Sequence, residues 1–150
     1  MKIAVYDGEE NAVYLTVKEM AQMAPLHFSL EQRVPGIEGK AFDLKQWYHA
    51  WKTDHALMPT HLTVEAADQF QATIPWDQLD KAALLYEQDE LPLKKGFPIR
   101  LYVPDGSSNC LNVKSIVSFY FIFNGDSGED ALFGFKNKIS LDEMRKDKTN

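Results

Sequence analysis

The run from Ile116 to Phe123, with the sequence IVSFYFIF, is the feature that most constrains how this chain can fold. Its β-branched and aromatic residues favour a strand. It is far shorter than the roughly 18 apolar residues that a membrane-spanning helix requires, so we predict a central strand of a buried sheet. A chain of 150 residues can bury such a strand in one core, and we predict a single domain over residues 1–150.

Five further segments have strand-like sequences. Two of them flank Asp68-Gln69, whose turn chemistry predicts a hairpin. Another is bounded by prolines, which is typical of an edge or a bend. The predicted strands are Ile3–Tyr6, Leu62–Ala67, Phe70–Pro75, Phe97–Val103 and a short one at Ala131–Phe135. We expect the segment between Pro25 and Lys40 to be irregular.

Helix starts are marked by capping residues. Thr16 and Glu19 form a capping box, with an apolar face behind them. Asp43 is a good N-cap for a stronger helix, whose apolar stripe has the spacing i, i+3, i+4 and i+7. That stripe consists of Leu44, Trp47, Tyr48 and Trp51. A second capping box at Ser140 to Glu143 predicts a last helical turn.

The segment from Asp77 to Tyr86 fits either a helix or, in its second half, a strand, because so short a run has no decisive periodicity. The pattern as a whole favours the α+β class. We predict six to eight strands in a mostly antiparallel or mixed sheet, with two or three helices packed on it.

Charge and motifs exclude several functions. Sixteen basic against 22 acidic residues give a net charge of −6, which argues against nucleic-acid binding. The sequence has no GxxxxGK[ST], GxGxxG or GxSxG motif, so nucleotide loops and a serine-hydrolase elbow are unsupported. One cysteine excludes an internal disulfide. The N-terminus is not a signal peptide, so we expect a cytoplasmic protein without a membrane partner.

Most of the reactive side chains have a structural interpretation. The spacing of the histidines fits neither a helical metal pair nor a zinc finger, and is typical of surface or partly buried positions. These histidines are His27, His49, His55 and His61. We expect Cys110 to be an unreactive, partly buried thiol, because only Lys114 is close in sequence to lower its pKa.

Arg100 and Lys114 are better candidates for a site. Arg100 interrupts one apolar strand and Lys114 precedes another. If the two strands are neighbours, both cations and the turn at Gly106 converge where a phosphate could bind. The alternative is that Arg100 pairs with a carboxylate or carbonyl, while Lys114 lies along the surface.

The order of several short motifs resembles the molybdopterin-binding oxidoreductase domain of sulfite oxidase and its relatives. The resemblance covers roughly 110 of the 150 residues and is clearest over 40–120. It implies a sulfite-oxidase-type fold and a strand over Leu84–Gln88. The matching pieces are Asp68, Ile74-Pro75, Leu85-Tyr86, Leu91-Pro92-Leu93, Gly96-Phe97-Pro98-Ile99-Arg100, Val103-Pro104 and Val113-Lys114.

The resemblance transfers only part of the family's site. Arg100 and Lys114 resemble its contacts to the phosphate side of the pterin, and Lys95 stands where the family has a histidine. The family's molybdenum-ligating cysteine precedes the first long helix, whereas this chain has no cysteine before Cys110. Because a soft thiolate sets the electronics of that metal, its loss predicts the loss of molybdenum catalysis.

Three hypotheses follow. The favoured one is a degenerate molybdopterin-binding fold that serves as a structural or protein-interaction module, its former pocket filled by Phe97 and Tyr102. The second is a binding module for a pterin-type or other anionic small molecule, anchored by Arg100, Lys114 and Lys95. The third is a molybdopterin-dependent oxidoreductase of the sulfite oxidase type. We expect no cofactor, with molybdopterin as the one that the resemblance implies.

Overall fold

The computed structural model describes residues 1–8, 11–52, 57–124 and 131–135. Within these residues the chain forms two α-helices and eleven strands. The helices are α1 (Val17–Met23) and α2 (Leu44–Trp51). The strands are β1 (Ile3–Asp7), β2 (Ala12–Leu15), β3 (His27–Ser29), β4 (Lys40–Asp43), β5 (His61–Ala66), β6 (Phe70–Pro75), β7 (Ala83–Gln88), β8 (Leu91–Pro92), β9 (Arg100–Tyr102), β10 (Ile116–Ile122) and β11 (Leu132–Phe135).

The larger sheet has six strands in the order β11-β6-β5-β10-β1-β2. Strand β10 lies in its middle, antiparallel to β5 and parallel to β1. This confirms the predicted central strand. Strands β5 and β6 form the predicted hairpin, in which Gln69 has a positive φ of 74° and the Asp68 carboxylate accepts a hydrogen bond from the Phe70 N–H.

The smaller sheet has β3, β4, β7 and β8 in order, and β9 also pairs with β7. Its central strand β7 confirms the strand expected over Leu84–Gln88, whereas Trp76–Leu79 forms a short 3-10 helix. Leu84 and Leu85 point to opposite faces of β7 and are both fully buried. Burial on both faces explains why the sequence of this strand lacks the alternation that would separate it from a helix.

Both predicted helix caps are present. The Glu19 N–H donates to Thr16 Oγ1 and the Thr16 N–H donates to Glu19 Oε1, which completes the capping box of α1. At α2, the Gln46 N–H donates to the Asp43 carboxylate over 2.8 Å. The apolar stripe of α2 packs on the six-stranded sheet as predicted, and Trp47 is fully buried there.

Some predictions were wrong in detail. Strand β3 lies in the segment predicted to be irregular, and the strand predicted over Phe97–Val103 is confined to β9. The described residues contain eleven strands, more than the six to eight predicted. The extra strands have two to four residues, which is too few for a periodic pattern. The predicted turn over 140–143 lies outside the described residues.

The described residues confirm the α+β class with mixed and mostly antiparallel sheets. None of their helices is long and apolar enough to span a membrane.

Candidate functional site

The largest cavity that we describe lies between α1 and the smaller sheet, and we call it the α1 cleft. Its volume is about 590 Å³. The walls are mostly apolar and come from the N-terminus, α1, β3, β7, β8 and the segment before β9. The lining residues are Met1, Thr16, Val17, Lys18, Ala21, Gln22, His27, Tyr86, Glu87, Pro92, Phe97 and Pro98.

A histidine and a tyrosine meet at the wall of the α1 cleft. His27 is on the edge strand β3, and Tyr86 is on the central strand β7. Their side chains are joined by a hydrogen bond of 2.7 Å between His27 Nδ1 and the Tyr86 hydroxyl. Both rings also contact Phe42 of β4, which lies between the two strands. Strand pairing in the smaller sheet therefore positions this polar pair.

The Tyr86 phenol remains protonated across the neutral pH range. Burial raises the pKa of its hydroxyl to about 12, and the negative charge of Glu87 acts in the same direction. The His27–Tyr86 pair consequently presents an uncharged phenol beside an imidazole. Such a pair can hold an oriented hydrogen bond without placing a phenolate in the cleft.

Two charged side chains also line the α1 cleft. Lys18 is an exposed residue of α1, and no carboxylate of the described residues forms an ion pair with it. The Glu87 carboxylate lies 3.9 Å from the ammonium of Lys40. A cation therefore lies beside Glu87, whereas no carboxylate of the described residues forms an ion pair with Lys18.

A second cavity of about 480 Å³ adjoins the first, because His27 and Glu87 line both. It also contains Asp89 and Glu90, two residues with positive φ at the turn from β7 to β8. The two cavities together form a groove with an apolar end near α1 and an acidic end near this turn.

Lys114, one of the predicted site residues, lies elsewhere in the fold. It is exposed and lines a small cavity of about 220 Å³ with Asp68 and Cys110. Arg100 and Lys95 are not among the residues that line this cavity. The backbone does bring the two predicted segments together, because the Leu101 N–H donates to the Val113 carbonyl over 2.8 Å.

Arg100 is held in place along its aliphatic part. Its guanidinium carbon lies 5.1 Å from the centre of the Tyr102 ring, and its side chain packs against Gly96, where any larger residue would collide with it. The Nε atom is buried and has no hydrogen-bond partner. Lys95, next to Gly96, is exposed. A common anion site for Arg100, Lys114 and Lys95 stays a prediction.

Other predicted residues agree with their expected positions only in part. Cys110 is exposed rather than partly buried, because it lies on a surface 3-10 turn, Asn109–Leu111. Of the two residues expected to fill the former pocket, Tyr102 is buried, whereas Phe97 is 46% exposed and lines the α1 cleft. His27 and His49 are exposed, whereas His61 is buried in β5 and hydrogen-bonds Thr60. His55 lies outside the described residues.

The described residues do not fit the metal site that the resemblance implies. The chain's one thiol, Cys110, lines the small cavity beside Lys114 rather than the α1 cleft. Among the described residues, no three histidine, cysteine or acidic side chains lie close enough together to hold a metal ion. The soft thiolate that would hold molybdenum is therefore not among the residues that line the α1 cleft.

No protein-family model and no curated protein matches this chain.

Sequence reasoning missed the α1 cleft because its polar residues are far apart in the chain. His27 and Tyr86 are 59 positions apart, and no local motif connects them. Tyr86 and Phe97 both lie in the motifs that carry the family resemblance, but those motifs do not indicate a cavity.

Proposed function

We propose that this chain is a binding module, without catalysis of its own, for a small organic molecule that occupies the α1 cleft. The observation that carries the proposal is the cleft itself. Small-molecule sites typically have volumes of roughly 300–1,000 Å³, apolar walls and a few well-placed polar groups. At about 590 Å³, with apolar walls and the His27–Tyr86 pair, the cleft meets these criteria.

The side chains of the cleft favour binding over catalysis. The Thr16 hydroxyl accepts the capping bond from the Glu19 N–H, so it is engaged in holding α1. Among the described lining residues, Glu87 is the one carboxylate, and there is no thiol. An activated nucleophile would require a further group, and the imidazole and phenol that could exchange a proton with a substrate are bonded to each other.

The proposed architecture is a degenerate form of the sulfite-oxidase-type fold. Two features support it: the strand expected over Leu84–Gln88 corresponds to β7, and β7 pairs with the strand that carries Arg100. The absence of a cysteine before Cys110 supports the loss of molybdenum chemistry. About one equivalent of molybdenum in protein from cells that make the cofactor would instead favour the oxidoreductase.

A fluorescence titration with a neutral naphthalene dye such as Prodan tests the proposal. The informative variant is Gln22→Trp, because Gln22 is exposed on α1 and lines the cleft, so the indole would occupy it without disturbing the core. The matched control is Gln46→Trp, at an exposed position of α2 outside the cleft. We expect saturable binding to the wild type and to Gln46→Trp, weakened about tenfold or more in Gln22→Trp.

Equal binding by all three proteins, or no saturable binding to the wild type, would overturn the assignment of the cleft. Melting temperatures of the three proteins should agree within a few degrees, which verifies that each is folded.

A protein-interaction module is the second candidate. Strand β3 lies at the edge of the smaller sheet, and the exposed apolar side chain of Leu26 (57% exposed) directly precedes it. An edge strand beside an apolar groove can accept an added strand from a partner. The substitution Leu26→Lys would then weaken partner capture without affecting dye binding.

A further inference from the structure

The polarity of the α1 cleft restricts its ligand further than its volume does. Lys18 contributes an ammonium that no described carboxylate pairs with, whereas Glu87 has Lys40 beside it. At the other end of the groove, Asp89 and Glu90 repel an anion. A negatively charged group would therefore be favoured at the α1 end and disfavoured at the β7–β8 turn.

The His27–Tyr86 pair can supply a hydrogen-bond donor. The Tyr86 hydroxyl lies 2.7 Å from His27 Nδ1 and can donate to it. In that tautomer the imidazole proton is on Nε2, and His27 offers this N–H to a ligand.

We propose that the ligand of the α1 cleft is an apolar monocarboxylate, whose carboxylate is bound by Lys18 and His27 and whose hydrocarbon or ring body packs on Val17, Ala21, Phe97 and Pro98. This inference rests on the proposed function and specifies its ligand. One ammonium and one imidazole N–H match the two oxygens of a carboxylate. A phosphate group is usually bound by an arginine fork or by several backbone N–H groups, and the described lining residues include no arginine.

A matched ligand series tests the charge without changing the shape. We would compete 4-phenylbutyrate, its neutral amide 4-phenylbutanamide and its cationic counterpart 4-phenylbutylamine against Prodan. The wild type should bind the acid about tenfold more tightly than the amide, and the amine most weakly, because charge-assisted contacts to Lys18 and His27 form with the acid alone.

Two variants test whether Lys18 and His27 cause the preference for the acid over the amide. Lys18→Gln and His27→Ala should each reduce the ratio of acid to amide affinity to about threefold or less, and the ratio within each variant separates the charge effect from any general change in affinity. The matched control Lys94→Gln removes an exposed lysine that does not line the cleft and should keep the ratio of the wild type.

The outcomes separate the two proposals. Equal binding of acid and amide, tighter binding of the amine, or Prodan binding that none of the three displaces would overturn the carboxylate proposal and leave the binding module standing. Prodan binding that Gln22→Trp does not weaken would overturn the binding module itself. An unchanged ratio in both Lys18→Gln and His27→Ala would show that other groups hold the carboxylate and would overturn the assignment.

Discussion

Aromatic rings concentrate in two regions of this molecule, and the two regions pack in opposite ways. Under α2 the rings fill the space between helix and sheet: Trp47 is fully buried, and the ring centres of Tyr48 and Phe121 are 4.4 Å apart. Around the α1 cleft, Tyr86 and Phe97 border an open volume of about 590 Å³.

The difference follows from the side chains that each helix presents. The stripe of α2 carries Trp47 and Tyr48, whose large rings reach the sheet and fill the interface. Toward the cleft, α1 presents Val17 and Ala21, which are too short to fill the space above β7. Aromatic residues in a sequence therefore do not distinguish a core from a binding site. The size of the residues that pack opposite the aromatic rings distinguishes a filled core from an open cleft.

The comparison predicts its largest effect at Trp47. Truncation by Trp47→Ala should lower the free energy of unfolding by about 3–5 kcal/mol, because a fully buried ring leaves a cavity that the sheet cannot close. Phe97→Ala, at a ring that is 46% exposed, should cost less than about 1 kcal/mol. Denaturant unfolding measures both values.

Equal losses of unfolding free energy in Trp47→Ala and Phe97→Ala, or a larger loss in Phe97→Ala, would contradict the difference in packing between the two regions. Trp47→Phe serves as a second variant that is expected to fold, because it keeps a ring and removes a buried indole N–H that has no hydrogen-bond partner. Its cost should lie well below that of Trp47→Ala.

A smaller effect is expected at the helix caps. Asp43 caps α2 and also accepts a hydrogen bond of 2.7 Å from the Arg33 guanidinium, and it is buried. Asp43→Ala should therefore lower the free energy of unfolding by about 2–3 kcal/mol, because it removes both a helix cap and a charged hydrogen bond. Thr16→Ala removes only the exposed cap of α1 and should cost about 1 kcal/mol. Equal losses of unfolding free energy in Asp43→Ala and Thr16→Ala would contradict the expectation that the cap of α2 contributes more stability than the cap of α1.

The smallest effect concerns the pH dependence of the cleft. The pKa of Tyr86 is raised to about 12 in the folded protein, against an ordinary value of 10.0, because its burial disfavours the phenolate. A raised folded pKa gives stability that is complete below pH 10.0 and is lost as the pH rises toward 12. Tyr86→Phe should flatten the decline of stability above pH 10.0, and ultraviolet titration of phenolate should lose its late-ionising component.

An unchanged alkaline profile in Tyr86→Phe would mean that Tyr86 ionises as an exposed tyrosine does. Burial also raises the pKa of Tyr120, so Tyr120→Phe is the control that separates the six-stranded sheet from the cleft.

The sequence predicted the elements whose signals are local. The capping residues Thr16 and Asp43 marked the starts of both helices, and the turn at Asp68-Gln69 marked the hairpin. The apolar run starting at Ile116 indicated the central strand. The sequence did not predict β3 or the extent of β9. Strands of three residues depend on partner strands that the local sequence does not contain.

Local sequence was enough to predict the α+β class, the helix caps and the strand that the core surrounds, because each depends on hydrogen bonds or burial within a few consecutive residues. The position of the candidate binding site depended on long-range packing instead. His27 and Tyr86 become neighbours because β4 pairs with both β3 and β7, and the small residue Ala21 of α1 lines the same cleft. A cavity depends on residues from several segments and on the distances between them, and no single segment of the sequence determines either.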